Sequence, residues 1–86
     1  MTMEQKNFHL EITTPTSSQE ATIEWIEVES PTGSFLVGPD HSHLISIIKN
    51  KSAITYKKVD AQILSHDVTS GIFSIIDNKA IVLLDE

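Results

Sequence analysis

Eighty-six residues with 40% hydrophobic side chains make one domain and exclude a two-domain enzyme, since compact domains need about 50 residues or more each. Twelve acidic residues against six lysines and no arginine give a formal charge of −6, which argues against a nucleic-acid partner, because phosphate backbones are gripped by clustered cations that release counterions. The absence of cysteine excludes a disulfide, a thiolate zinc site and a cysteine nucleophile.

Ile, Val and Thr supply 25 of the 86 residues, and their branched Cβ atoms suit a pleated sheet better than a helix. The polar start, Met1 to Asn7, has no signal-peptide pattern and reads as a flexible N-terminus over residues 1–6. Phe8, Leu10 and Ile12 then alternate with His9, Glu11 and Thr13, the pattern of a half-buried strand, stopped by Thr14-Pro15-Thr16-Ser17-Ser18. From Thr22 to Glu29 the apolar residues Ile23, Trp25, Ile26 and Val28 slip phase at Trp25-Ile26, which predicts a bulged strand. Ser30-Pro31-Thr32-Gly33 reads as a turn, and Phe35 to Val37 as a short strand closed by Gly38-Pro39-Asp40.

Leu44 to Lys49 is mostly apolar and predicts a strand covered on both faces, with one helical turn over His41 to Leu44 as the alternative. Its apolar run, broken by Ser46, falls far short of the roughly 20 residues of a membrane helix. After Asn50-Lys51, Ala53 to Lys57 alternates as a strand; Val59 to Ser65 alternates with a second slip at Leu64, and His66 to Thr69 reads as a further short strand. Ile72 to Ile76 and Ala80 to Leu84 form a hairpin around Asp77-Asn78-Lys79, whose Asp and Asn tolerate left-handed backbone angles. Strands at intervals of roughly 8–12 residues predict an all-β fold, a two-sheet sandwich or flattened barrel of about eight to ten strands in one domain over residues 1–86. The three glycines, Gly33, Gly38 and Gly71, predict either positive φ or close packing.

His41 and His43 would share a face if they lay on a strand, and two imidazoles could then meet one metal ion as in a small cupin-like barrel enzyme; the carboxylate that should follow them is replaced by Leu44 to Ile48. Ser70-Gly71 lacks the flanking glycine of a nucleophile elbow, and no phosphate-binding glycine loop occurs. Glu20, Glu24, Glu27 and Glu29 alternate with apolar residues and read as a solvated outer face, and Lys49, Lys51, Lys57 and Lys58 as solvated hairpin residues, with a contact patch for an acidic partner as the alternative. On these grounds the chain is a small binding or structural domain with no catalytic residue, no metal and no cofactor.

The run Gly33-Ser34-Phe35-Leu36-Val37-Gly38-Pro39-Asp40-His41-Ser42-His43-Leu44 resembles the signature of the epsilon subunit of F-type ATP synthases, called delta in mitochondria. Phe8 to Pro15, Ile23 to Val28 and Thr69 to Leu84 resemble that family's first, second and closing strands, so the likeness covers nearly the whole chain. The departures are Leu36, Gly38 and Ser42-His43 in the signature and Ser70 in place of the first of two glycines. The resemblance implies a non-catalytic rotor subunit that contacts the gamma subunit and the c-ring and helps couple ion translocation to ATP synthesis. The resemblance also implies that the chain would be held peripherally, through the complex, on the cytoplasmic side of a bacterial inner membrane. Carried over by position, Ser34 and Phe35 in the loop after Gly33, with His41, would lie at or near the end of the sandwich facing the ring and gamma, with Gly33 and Pro39 shaping that loop. Because Leu84-Asp85-Glu86 finishes the chain, the resemblance further implies a short form without the C-terminal helix pair that inhibits ATP hydrolysis.

Overall fold

The computed structural model describes residues 7–85, and the segment 1–6 expected to be flexible lies outside the described residues. β1 (Phe8–Thr13) forms where the alternation is strictest, with Phe8, Leu10 and Ile12 buried. The chain reverses over Thr14 to Ser17, where the Thr14 amide donates to the Ser17 carbonyl at 2.8 Å and the Ser17 amide to Thr14 Oγ1 at 3.0 Å. β2 (Ser18–Ser30) starts four residues earlier than its apolar pattern does, because Ser18 to Ala21 become strand by pairing with β1, from Thr13↔Ser18 to Phe8↔Ile23.

The other strands are β3 (Gly33–Val37), β4 (Leu44–Ile48), β5 (Ser52–Lys58), β6 (Ile63–Val68), β7 (Gly71–Ile76) and β8 (Lys79–Leu84). They join in the order β4-β7-β8-β1-β2-β5-β6, and β3 also pairs with β2. The layout follows from β2. Its residue Ile23 pairs with both Phe8 and Lys58, and Ile26 with both Val37 and Tyr56, so β1 and β3 follow one another along one edge of β2 while β5 takes the other. One half of β2 therefore belongs to the layer β4-β7-β8-β1 and the other half to the layer β3-β5-β6. The expected two-layered all-β body is present, its layers continuous through this one long strand.

The bend sits at the expected bulge. The register with β5 passes from Ile23↔Lys58 to Trp25↔Lys57, leaving Glu24 as the additional residue, so Ile23, Ile26 and Val28 all point into the core despite the odd spacing. Every strand contributes to a single buried apolar cluster, from Phe8 in β1 to Leu84 in β8. Among the described residues no polar or charged side chain is buried. β1 and β8 close the structure by parallel pairing, from His9↔Lys79 to Thr13↔Leu83.

Three sequence expectations are corrected. β4 is an edge strand with one covered face: Ile48 is buried, but Ile45 is 70% and Ile47 63% exposed. Val59 to Gln62 is a turn, not strand, with Ala61 at φ 77°, and Ile63 to Val68 is one continuous strand whose exposed Ile63 and Leu64 mimic a phase slip. The β7–β8 turn has two residues, Asp77 (φ 50°) and Asn78 (φ 62°), the double positive φ of a type I′ turn, and Lys79 belongs to the strand. Gly33 (φ 143°) and Gly71 fulfil the glycine expectation, whereas Gly38 has neither a positive φ nor a neighbour within 4 Å of a built Cβ.

Candidate interaction surface

β3 carries the residues singled out by sequence. Its first residue, Gly33, closes the turn after β2, where Ser30 Oγ donates to the Gly33 carbonyl at 2.7 Å. Ser34 is exposed opposite Glu29. Phe35 is half-buried and meets Phe73 of β7 edge-on, with ring centroids 6.0 Å apart and planes at 63°, so it joins the two layers. Leu36 is 60% exposed and Val37 is fully buried. Pro39 and His41 lie in the loop 38–43 beyond the strand's other end. Four strand steps of about 3.3 Å separate Gly33 from Val37, roughly 13 Å, so Gly33 and Ser34 stand at one end of the sandwich and Pro39 and His41 at the other. The expectation that these residues gather at one end is corrected: Gly33 to Phe35 are strand, and a strand carries its two termini apart.

The loop 38–43 rests against the β7–β8 turn. Asn78 Oδ1 accepts the Asp40 amide at 2.6 Å and Asn78 Nδ2 donates to Asp40 Oδ1 at 2.9 Å. His43 Nε2 lies 3.0 Å from Asp77 Oδ1, and His41 Nδ1 lies 2.8 Å from the Ser42 carbonyl. Since both histidines are in a loop, the strand alternation that would have aimed them at one ion is missing. Among the described residues no group of three or more His, Cys, Asp or Glu side chains is placed to hold a metal.

The two outer faces differ in chemistry. Across β4, β7 and β8 the register lines up Ile47, Ile72 and Leu83 in one row and Ile45, Ser74 and Ile81 in another. Ile72 is 46% and Leu83 48% exposed, so this face presents a band of uncovered isoleucine and leucine, with a groove along Ile47, Gly71, Ile72 and Leu83. On the opposite layer Glu27, Glu29, Ser34, Ala53 and Thr55 line a shallow polar depression. Glu24, the bulge residue, is instead only 19% exposed and pairs with Lys57 at 3.6 Å. The lysines do not form one patch: Lys49 and Lys51 flank the β4–β5 turn, while Lys57 and Lys58 end β5 at the other end of the body.

The apolar face went unrecognised in the sequence, although a signal existed. Ile47-Ile48, Ile75-Ile76 and Leu83-Leu84 put large apolar residues on both faces of a strand, a pattern that fits burial within the fold or against a partner equally well.

The sequence matches the family described as ATP synthase, Delta/Epsilon chain, beta-sandwich domain, over residues 7–86. The chain belongs to this ATP synthase delta/epsilon family. The fold is likewise similar to chains in solved assemblies. A chain of the Euglena gracilis mitochondrial ATP synthase, OSCP/F1/c-ring in rotational state 1, superposes with a TM-score of 0.82 at 11% identity, covering 90% of this chain and 49% of that one. A chain of the Tetrahymena thermophila mitochondrial ATP synthase central stalk/c-ring gives a TM-score of 0.77 at 11% identity, covering 98% of this chain and 67% of that one. The delta/epsilon chain described here thus spans about half the length of the first of these. A comparison with curated proteins finds no match. Among the described residues the delta/epsilon sandwich has no helix long and apolar enough to cross a membrane.

Proposed function

We propose that this delta/epsilon chain is a non-catalytic part of the rotor of an F-type ATP synthase, a sandwich that packs on the gamma subunit and the c-ring and helps couple ion translocation to ATP synthesis. The observation that carries the reading is the apolar face of β4, β7 and β8, where Ile45, Ile47, Ile72 and Leu83 lie 46–70% exposed on three adjoining strands, whereas the exposed Leu36, Val59, Ile63 and Leu64 are divided between β3, β6 and the turn before β6. A contiguous band of this kind on a small protein favours a protein partner, because water penalises each uncovered Å² by about 25 cal/mol. Family membership supports the gamma subunit as the occupant.

The two ends of β3 give the interface its edges: Pro39 and His41 at the loop end, Gly33 and Ser34 at the turn end, and Phe35 bracing the strand between the layers through Phe73. The loop end, with Pro39 and His41, is the gamma side together with the apolar face, and the turn end, with Gly33 and Ser34, is the ring side, as a rotor part bridging two partners requires. The complex holds the chain peripherally at the membrane, on the cytoplasmic side in a bacterium. That the two similar structures are assemblies with a c-ring supports this placement.

Co-expression with the gamma subunit, followed by size-exclusion chromatography with light scattering, tests the reading. A one-to-one complex without ATPase activity of its own is expected; elution of the chain as a free 9.6 kDa species in the presence of gamma contradicts it. Equilibrium dialysis with zinc, nickel and iron separates this function from the metal-enzyme alternative at His41 and His43, since the rotor reading expects no stoichiometric uptake.

A further inference from the structure

The β7–β8 turn uses an unexpected residue. At the second position of a type I′ turn, where φ must be positive, glycine is the residue of least cost. This chain places Asn78 there, at φ 62°. Its side-chain amide makes a closed pair of hydrogen bonds with a residue 38 positions away, accepting the Asp40 amide at 2.6 Å and donating to Asp40 Oδ1 at 2.9 Å. Its main-chain carbonyl accepts the His9 amide at 3.1 Å, which anchors the same turn to the start of β1. Asp40 in turn adopts φ 60°, a left-handed conformation that an L residue holds at a cost. The neighbouring His43–Asp77 contact fixes the far side of the loop to the same turn.

We propose that Asn78 is a positioning residue, which fastens the loop 38–43 to the β7–β8 turn and so sets the orientation in which Pro39 and His41 meet the partner. The inference rests on the rotor reading above and adds to it the residue that pre-organises one edge of the interface. Holding the loop in one conformation before binding removes an ordering cost that a free loop would meet on association. The hydrogen bonds are exposed, so their net contribution to fold stability is small. Their effect is therefore concentrated on the loop.

Asn78→Gly separates the two roles. Glycine is the favoured residue at this turn position, so the hairpin is retained while both side-chain hydrogen bonds are removed. In the full chain the variant is expected to unfold within a few degrees of the parent and to speed exchange of the Asp40 amide hydrogen by about tenfold. Its affinity for the gamma subunit, measured by titration calorimetry, is expected to fall by roughly three- to tenfold, about the loss of one modest hydrogen bond in binding. Asp77→Gly, which removes only the His43 contact and keeps a glycine-tolerant position, is expected to have a smaller effect on both readouts. If the parent binds gamma and Asn78→Gly binds equally tightly, the positioning role is overturned and the rotor reading stands. Unchanged exchange of the Asp40 amide in the variant also overturns it. If the parent itself fails to bind gamma, the rotor reading is what fails, and the positioning role falls with it.

Discussion

At Gly71 a single hydrogen atom separates a tolerated residue from a clash. A Cβ there would stand 2.6 Å from the Leu83 carbonyl oxygen and 2.9 Å from Leu84 Cδ2, and the former is backbone in a paired strand that cannot step aside. Gly71→Ala is expected to destabilise the fold by about 1–3 kcal/mol in urea unfolding, as overpacked cores do. Gly38→Ala, in open space at an ordinary φ, is expected to cost nothing measurable. Tyr56 gives a second prediction. Burial in the core pushes its phenol above the ordinary 10.0, because the charged phenolate is the form that loses its water. The folded state then holds this proton more tightly than the unfolded chain does. The tyrosine's contribution to stability is intact below 10.0 and is lost as the pH rises through the folded value. Stability measured in urea against pH should accordingly fall more steeply above 10.0 for the parent than for Tyr56→Phe. At this scale much was legible, since glycines and left-handed turns announce themselves. The Asn78–Asp40 pair was not, because no local rule relates residues 38 positions apart.

At the scale of the element, β2 decides the architecture. Its bulge at Glu24 keeps Ile23 on the core side together with Ile26 and Val28, and the same irregularity turns the strand from one layer into the other. Inserting one alanine between Trp25 and Ile26 while the bulge at Glu24 stays flips every side chain beyond it and forces either Ile23 or the pair Ile26 and Val28 to solvent. A loss of about 3 kcal/mol or more is expected, the cost of exposing one or two fully buried isoleucine-sized side chains, read as a lowered or abolished cooperative unfolding transition. The bulge could be read from the phase slip, as β1 and the β7–β8 hairpin could be read from alternation. Where an element takes its structure from its neighbour, the pattern is silent: Ser18 to Ala21 are strand only because β1 lies beside them. Ile63-Leu64 misleads for a related reason, since an edge strand leaves both residues in contact with water.

For the whole molecule, the parallel closure of β1 on β8 makes a body with two unlike faces and two ends. The fold class followed from composition and the spacing of turns; the pairing of the first strand with the last did not, because parallel partners are chosen by the assembled core and not by adjacent sequence. Within the face β4-β7-β8, sequence alone placed both sides of β4 in the interior and left the outer side of the β7–β8 hairpin unassigned. Ile47→Glu is expected to leave stability within about 0.5 kcal/mol of the parent, as substitutions at exposed positions do. The same variant is expected to weaken gamma binding at least tenfold, checked by paired unfolding and calorimetric titrations. Methyl cross-saturation from unlabelled gamma to the labelled chain tests the central claim most directly. Attenuation centred on the methyl groups of Ile45, Ile47, Ile72 and Leu83 is predicted. Attenuation confined to Leu36 and Ile63 on the opposite layer, or none at all in a mixture with gamma, would contradict it.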